Sequence, residues 1–248
     1  MRSEELIACY PRLYHMAQDG SWPLIQRLGL LSTAALVEAF GVEDPRREAI
    51  VAEHRPSSMT IRSTVYGDAV VRDQIPMRDS ILDRVLGEVM TPADWYRLLN
   101  SFVFFWPTEA RLLTLLSARA YRGRAHTVLV VDTARLLDHH GERVRLSPIN
   151  SGSTLFDARP RGRATFHTID DYPFAEMRRR RGLASAIAEI AVGGGVSPID
   201  PVLVAVTRRQ QAEVLEEVWT APANHSSRCP ADAADRRPAV PLPVLVDG

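Results

Sequence analysis

The chain has 248 residues, 46% of them hydrophobic and 24% charged, and its 30 basic residues balance 30 acidic ones to a formal net charge of zero. A length and composition of this kind fit one soluble globular domain, and a balanced charge gives no global field that would draw the chain to nucleic acid or a membrane surface. Every basic residue is arginine, which excludes a lysine Schiff base, a lysine nucleophile and a phosphate-loop lysine.

The chain opens Met1-Arg2-Ser3-Glu4-Glu5, too acidic for a signal peptide, and no apolar run approaches the roughly 18 residues of a membrane span. A cytoplasmic protein without a membrane partner is expected. Cys9 and Cys229 are too few and too far apart for a disulfide framework or a metal cluster. His139-His140 is an adjacent pair with no second pair near it, so no metal is expected.

In chain order, Leu13 to Ala17 reads as a short strand with His15 inside it. Trp22 to Leu28 reads as a helix stopped by Gly29. Ser32 caps a helix to Phe40, and Asp44-Pro45 starts another that runs to about His54. Arg55 to Met77 is broken by Pro56, Gly67 and Pro76 and reads as irregular. Thr91-Pro92-Ala93-Asp94 is a helix start, with a cap, a first-turn proline and an acid at the positive end; that helix ends by Asn100. Phe102 to Trp106 is aromatic and β-branched, hence a buried strand. Thr108 to Ala118 is helical, Thr127 to Asp132 a central strand that Asp132 and Thr133 follow with a helix cap, and Arg143 to Leu146 a further strand. Ser147 to Arg163 is a loop rich in Ser, Gly, Pro and Arg. Ile187 to Val192 and Val202 to Val206 are the last two strands expected. From Ala221 to Gly248 the composition turns to Ala, Pro, Asp, Arg and Ser, and a disordered tail after a single domain of residues 1–220 is expected. There is no regular βαβ alternation and no glycine-rich loop after the first strand, which argues against a dinucleotide-binding doubly wound sheet and for an α+β domain with a mixed or antiparallel sheet.

Two polar side chains stand inside strand-like apolar runs far apart in sequence: His15, and Glu189 in Ala188-Glu189-Ile190-Ala191-Val192. A polar group there costs stability unless it is satisfied or used. The plain alternatives are a satisfied core histidine and an outward-facing strand glutamate.

The ordered set Leu13-Tyr14-His15 with Gly29-Leu30-Leu31-Ser32, then Phe102 to Trp106, then Ala188-Glu189-Ile190-Ala191-Val192 with Val196-Ser197-Pro198-Ile199, resembles the three motifs of ADP-ribosyltransferase-like proteins, most closely the DarT-type branch that modifies DNA bases and its bacterial relatives. The resemblance implies a split mixed or antiparallel sheet with flanking helices that grips NAD as substrate. It implies that His15 bonds a ribose hydroxyl, that the backbone at Met16 holds the nicotinamide amide, that a ring from Phe104, Phe105 or Trp106 packs on the nicotinamide, and that Glu189 is the catalytic carboxylate. The arginine that the branch places upstream of the second motif is matched by Arg72, with Arg62 its rival. Two departures stand out. Ile187 lies two before Glu189, where arginine-modifying members carry an acid or glutamine, so a protein-arginine acceptor is disfavoured. Phe and Trp also replace the usual tyrosine, which keeps stacking and loses a hydroxyl.

Arg178-Arg179-Arg180-Arg181, shortly before Glu189, would suit the phosphates of a DNA or RNA acceptor, with Arg159, Arg161 and Arg163 as a basic rim. The alternative is a solvated helix end. Asn150 to Thr154 reads as a polar turn, with a helix cap or a contact to the cofactor phosphates as the alternatives. The rival functions are a silent NAD or nucleotide binder of the same fold, an interaction domain, and an NAD-using phosphotransferase acting on RNA 2′-phosphates.

Overall fold

The computed structural model describes residues 1–88, 90–155 and 158–222. The expected tail from Ala221 therefore lies, from residue 223 on, outside the described residues. The domain is mixed α+β with antiparallel sheets.

Helix α1 (Ser3–Cys9) leads into strand β1 (Arg12–Gln18), α2 (Trp22–Leu28), the two-residue β2 (Leu30–Leu31), α3 (Thr33–Ala39) and α4 (Arg46–Ala52). Then come β3 (Met59–Ser63), β4 (Gly67–Val71), α5 (Asp79–Leu86), α6 (Pro92–Asn100), β5 (Phe102–Phe105) and α7 (Glu109–Leu116). The second half runs β6 (His126–Asp132), α8 (Thr133–His140), β7 (Val144–Ser147), α9 (Phe174–Arg181), α10 (Leu183–Ala186), β8 (Glu189–Gly193), β9 (Gly195–Val196), β10 (Leu203–Gln210) and β11 (Glu213–Thr220).

The caps anticipated from sequence are made. Ser32 Oγ accepts from Ala35 N–H at 3.2 Å, Thr91 Oγ1 from Asp94 N–H at 3.1 Å, and the Asp132 carboxylate from Arg135 N–H at 3.1 Å. Each satisfies an amide that the first helical turn leaves without a partner.

Two sheets carry the domain. One has the order β1-β6-β10-β11 and the other β5-β8-β7. They meet where Tyr14 and Trp106 exchange backbone hydrogen bonds of 3.0 and 2.8 Å. Beyond that bridge β1 and β5 part. Both faces of the joined sheet are covered. Leu13, Phe105, Leu129, Ile190 and Val192 belong to one large core, while Phe102, Phe104 and Ala191 face Trp95, Leu99 and Phe166 in another. A strand buried on both sides cannot alternate apolar with polar, which is why Ile187 to Val192 is an almost unbroken apolar run.

The structure corrects three readings. The stretch from Arg55 to Met77, expected to be irregular, contains the hairpin of β3 and β4, whose Ile61, Ala69 and Val71 are buried against Val37, Ile50 and Val51. Helices α1 and α5 were not anticipated; α5 buries Leu82 and Leu86, one turn apart. And β10 is not the last strand, because β11 continues the sheet as its edge. Its Val214, Leu215 and Val218 stay exposed, so no burial pattern marks it.

Among the described residues no helix is long and apolar enough to cross a membrane, and no group of three or more His, Cys, Asp or Glu could hold a metal ion.

Candidate functional site

Where β1 and β5 part, a cavity of about 430 Å³ opens between the end of β1, the α2–α3 segment, the β3–β4 hairpin and the α6–β5 junction. Its shape depends on β2 lying tight against β9. Gly195 has φ +125°, and a Cβ there would stand 2.5 Å from the Leu30 carbonyl oxygen; only glycine fits that close an approach.

His15 sits on its wall. Its Nδ1 lies 2.8 Å from the Phe104 carbonyl oxygen. A carbonyl only accepts, so Nδ1 carries the proton and Nε2 is left as an acceptor. Burial, with the positive charge of Arg72 acting in the same direction, lowers the imidazole pKa to about 4. His15 is therefore neutral near pH 7.

Arg72, just past β4, donates to the Met16 carbonyl at 3.4 Å and lies 4.9 Å over the Tyr121 ring. Asp73 accepts from Tyr121 Oη–H at 2.9 Å and from Ser58 Oγ–H at 3.1 Å. Arg55, 5% exposed, lines the same cavity. It donates to the Arg72 carbonyl at 3.1 Å, to Asn100 Oδ1 at 2.9 Å and to the Ile50 carbonyl. Nothing in the sequence marked Arg55, an arginine before Pro56 in a stretch without periodicity.

The structure brings His15, Met16, Phe104 and Arg72 to one cavity. It does not bring Phe105, Trp106 or Glu189 there. Phe105 is a core residue, 1% exposed, whose ring centre is 5.7 Å from that of His15. Trp106 packs with Tyr14 and Met16 against Leu112, Leu116 and Val128. Arg62, the rival of Arg72, is on the exposed hairpin surface, paired with Asp68 at 3.2 Å.

Glu189 opens β8, opposite Ser147 of β7. It shares a sheet face with Ala191, which is directly opposite Phe104. His15 turns to the other face, towards Phe105. The imidazole and the carboxylate thus do not share a hollow, and the sequence expectation that they would is corrected. Alternation fixes the face of each side chain along its own strand, and the bridge at Tyr14 and Trp106 sets the two strands in a register that opposes them.

Glu189 is enclosed, 4% exposed, and held by the loop after β7. Its Oε2 accepts from Ser151 N–H at 2.9 Å and Ser151 Oγ–H at 2.6 Å. Arg161 braces that loop by donating to the carbonyls of Ser151 and Ser153 at 3.2 and 3.0 Å. Burial raises the carboxyl pKa to about 7; the two Ser151 bonds and the charges of Arg111 and Arg161 pull it down without overcoming desolvation.

The arginine run ends α9. Arg178, Arg179 and Arg180 are exposed, and Arg180 pairs with Glu176 at 3.1 Å. Arg181 donates to the Pro148 carbonyl and lines a shallower cavity of about 760 Å³ with Arg159, Arg161, Arg163 and His167. That basic groove is distinct from the cavity at His15.

The residues of both cavities fall within one family match: Family of unknown function (DUF7002) covers residues 11–203. No curated protein and no solved structure matches the chain.

Proposed function

The chain belongs to this family of unknown function, and from the geometry inside it we propose an ADP-ribosyltransferase-like protein that binds NAD in the cavity beside His15. The observation that carries the reading is the convergence of His15, Arg72 and Phe104 on about 430 Å³ of space, a volume in the range of small-molecule sites. Neutral His15 offers Nε2 to a ribose hydroxyl. Of the three candidates only Phe104 is among the residues that line the cavity, where its carbonyl meets His15, and it is the one assigned to the nicotinamide.

The chemistry assigned to Glu189 is glycosyl transfer. The bond from C1′ of the ribose to the nicotinamide nitrogen breaks, nicotinamide leaves neutral with the electron pair, and the ribose gains oxocarbenium character. An ionised carboxylate beside C1′ stabilises charge that exists only in the transition state and takes the proton of the attacking acceptor. The proposed acceptor is DNA or RNA, met by Arg178 to Arg181. With the carboxylate enclosed under Ser151 on the other sheet face, transfer requires β1 and β8 to change their relative placement as well as release from Ser151. That enclosure favours a second reading, in which the same fold binds NAD or a nucleotide without transferring it.

Calorimetric titration with NAD, together with an assay for free nicotinamide in the wild type and in Glu189→Gln, separates the readings. Transfer predicts binding and nicotinamide release that falls at least ~100-fold in the variant, the scale of a lost base or charge stabiliser. Binding without release in either protein supports the silent binder. Absence of NAD binding overturns both.

A further inference from the structure

The cavity beside His15 holds more positive charge than its walls neutralise. Arg55 and Arg72 both line it, and neither forms an ion pair with a carboxylate among the described residues. The hydrogen bonds of both guanidiniums go to neutral oxygens: three from Arg55 and one from Arg72. Three carboxylates stand on the same walls, Asp19, Asp68 and Asp73, and the first two are engaged elsewhere. Asp19 is gripped by Arg208 through contacts of 2.9 to 3.1 Å, and Asp68 pairs with Arg62. Only the Asp73 charge acts on both Arg55 and Arg72, so one carboxylate serves two cations.

A buried cation without a counter-ion costs several kcal/mol in desolvation. Two guanidiniums that share one carboxylate beside an open volume are stabilised by an anion entering that volume.

We propose that this cavity is a phosphate site in which Arg55 and Arg72 together hold the diphosphate of a nucleotide. The inference rests on the nucleotide reading above and sharpens it: the diphosphate, rather than either base, supplies most of the recognition. Arg55 is held in place by Asn100, whose amide in turn donates to the Val51 carbonyl at 2.9 Å. Arg72 is held over Tyr121. The site is therefore organised before any ligand arrives.

The test is a panel of calorimetric titrations on the full chain with NAD, ADP, inorganic pyrophosphate, adenosine and nicotinamide. ADP and pyrophosphate are expected to bind and to compete with NAD, with adenosine and nicotinamide at least ~10-fold weaker, the scale of lost hydrogen bonds to charged groups. In Arg72→Gln the affinity for pyrophosphate is expected to fall by a similar ~10-fold while any adenosine affinity stays unchanged. Arg72 is the variant of choice because Arg55 also ties three backbone and side-chain oxygens together, and its loss would disturb folding. Binding of pyrophosphate without NAD would overturn the NAD reading and leave the phosphate site standing. Binding of NAD without pyrophosphate, adenosine as tight as ADP, or no binding by any of the five would overturn the phosphate site.

Discussion

Burial moves the proton affinities of His15 and Glu189 in opposite directions, and the two effects on stability oppose each other. His15 is held at about 4 against an ordinary 6.5. Between those values the unfolded chain binds a proton that the folded one does not, so stability rises with pH by about 1.4 kcal/mol per unit. Glu189 is held at about 7 against 4.5. There the folded chain carries the extra proton, so stability falls by about 1.4 kcal/mol per unit as pH rises towards 7. Over the shared window the two slopes cancel. Urea denaturation of the wild type from pH 4.5 to 6.5 should show little contribution from this pair. Glu189→Gln should become more stable as pH rises, and His15→Gln less stable; parallel slopes in the two variants would contradict the placements. Ser151→Ala removes the 2.6 Å hydroxyl bond to Glu189. It should lower stability at pH 8 by about 1–3 kcal/mol and raise the carboxyl pKa further, read by NMR titration. His15 and Glu189 were legible as residues because a polar group inside an apolar run asks for a reason. Ser151 and Arg55 were not, because their partners lie 38 and 45 positions away in sequence.

Elements whose ends carry their own chemistry were readable one at a time. The Thr91 cap of α6, the Ser32 cap of α3 and the Asp132 cap of α8 each act within four residues. Thr91→Ala should cost about 1 kcal/mol in chemical denaturation and leave NAD binding unchanged. The β3–β4 hairpin was hidden because Arg62, Ser63 and Asp68 interrupt strands of five residues. Its apolar face is visible only against α3 and α4. Gly195 belongs to an element, the β2–β9 pair, that no local signal announces. Gly195→Ala places a methyl group against the Leu30 carbonyl at a backbone angle side chains rarely adopt. A loss of about 3 kcal/mol is expected, with weaker ligand binding because Leu30 and Leu31 line the cavity. An unchanged denaturation midpoint would show that the pair does not shape the site.

At the scale of the whole molecule, ligand binding and folding are linked. A ligand held by the cavity where the two sheets part should stabilise the domain by about 2.7 kcal/mol at a free concentration one hundred times its dissociation constant. Thermal unfolding followed with rising NAD tests this; a midpoint that does not move would show that the cavity is not the binding site. The order of apolar and polar residues sufficed for the α+β class, the central strand β6, the buried strands β5 and β8 and the helices between them. Periodicity reports how each segment is buried, and burial is a local demand. Which faces meet is a different question. The single bridge of Tyr14 with Trp106 sets the register of β1 against β5. Through β8 it also decides that Glu189 faces away from His15, under Ser151, while Arg55 and Arg72 come to the cavity instead. A strand's sequence specifies which residues share a side; its partner's register, fixed by hydrogen bonds between segments some 90 residues apart, specifies what that side confronts. That is why the tertiary structure alone determined the composition of the site.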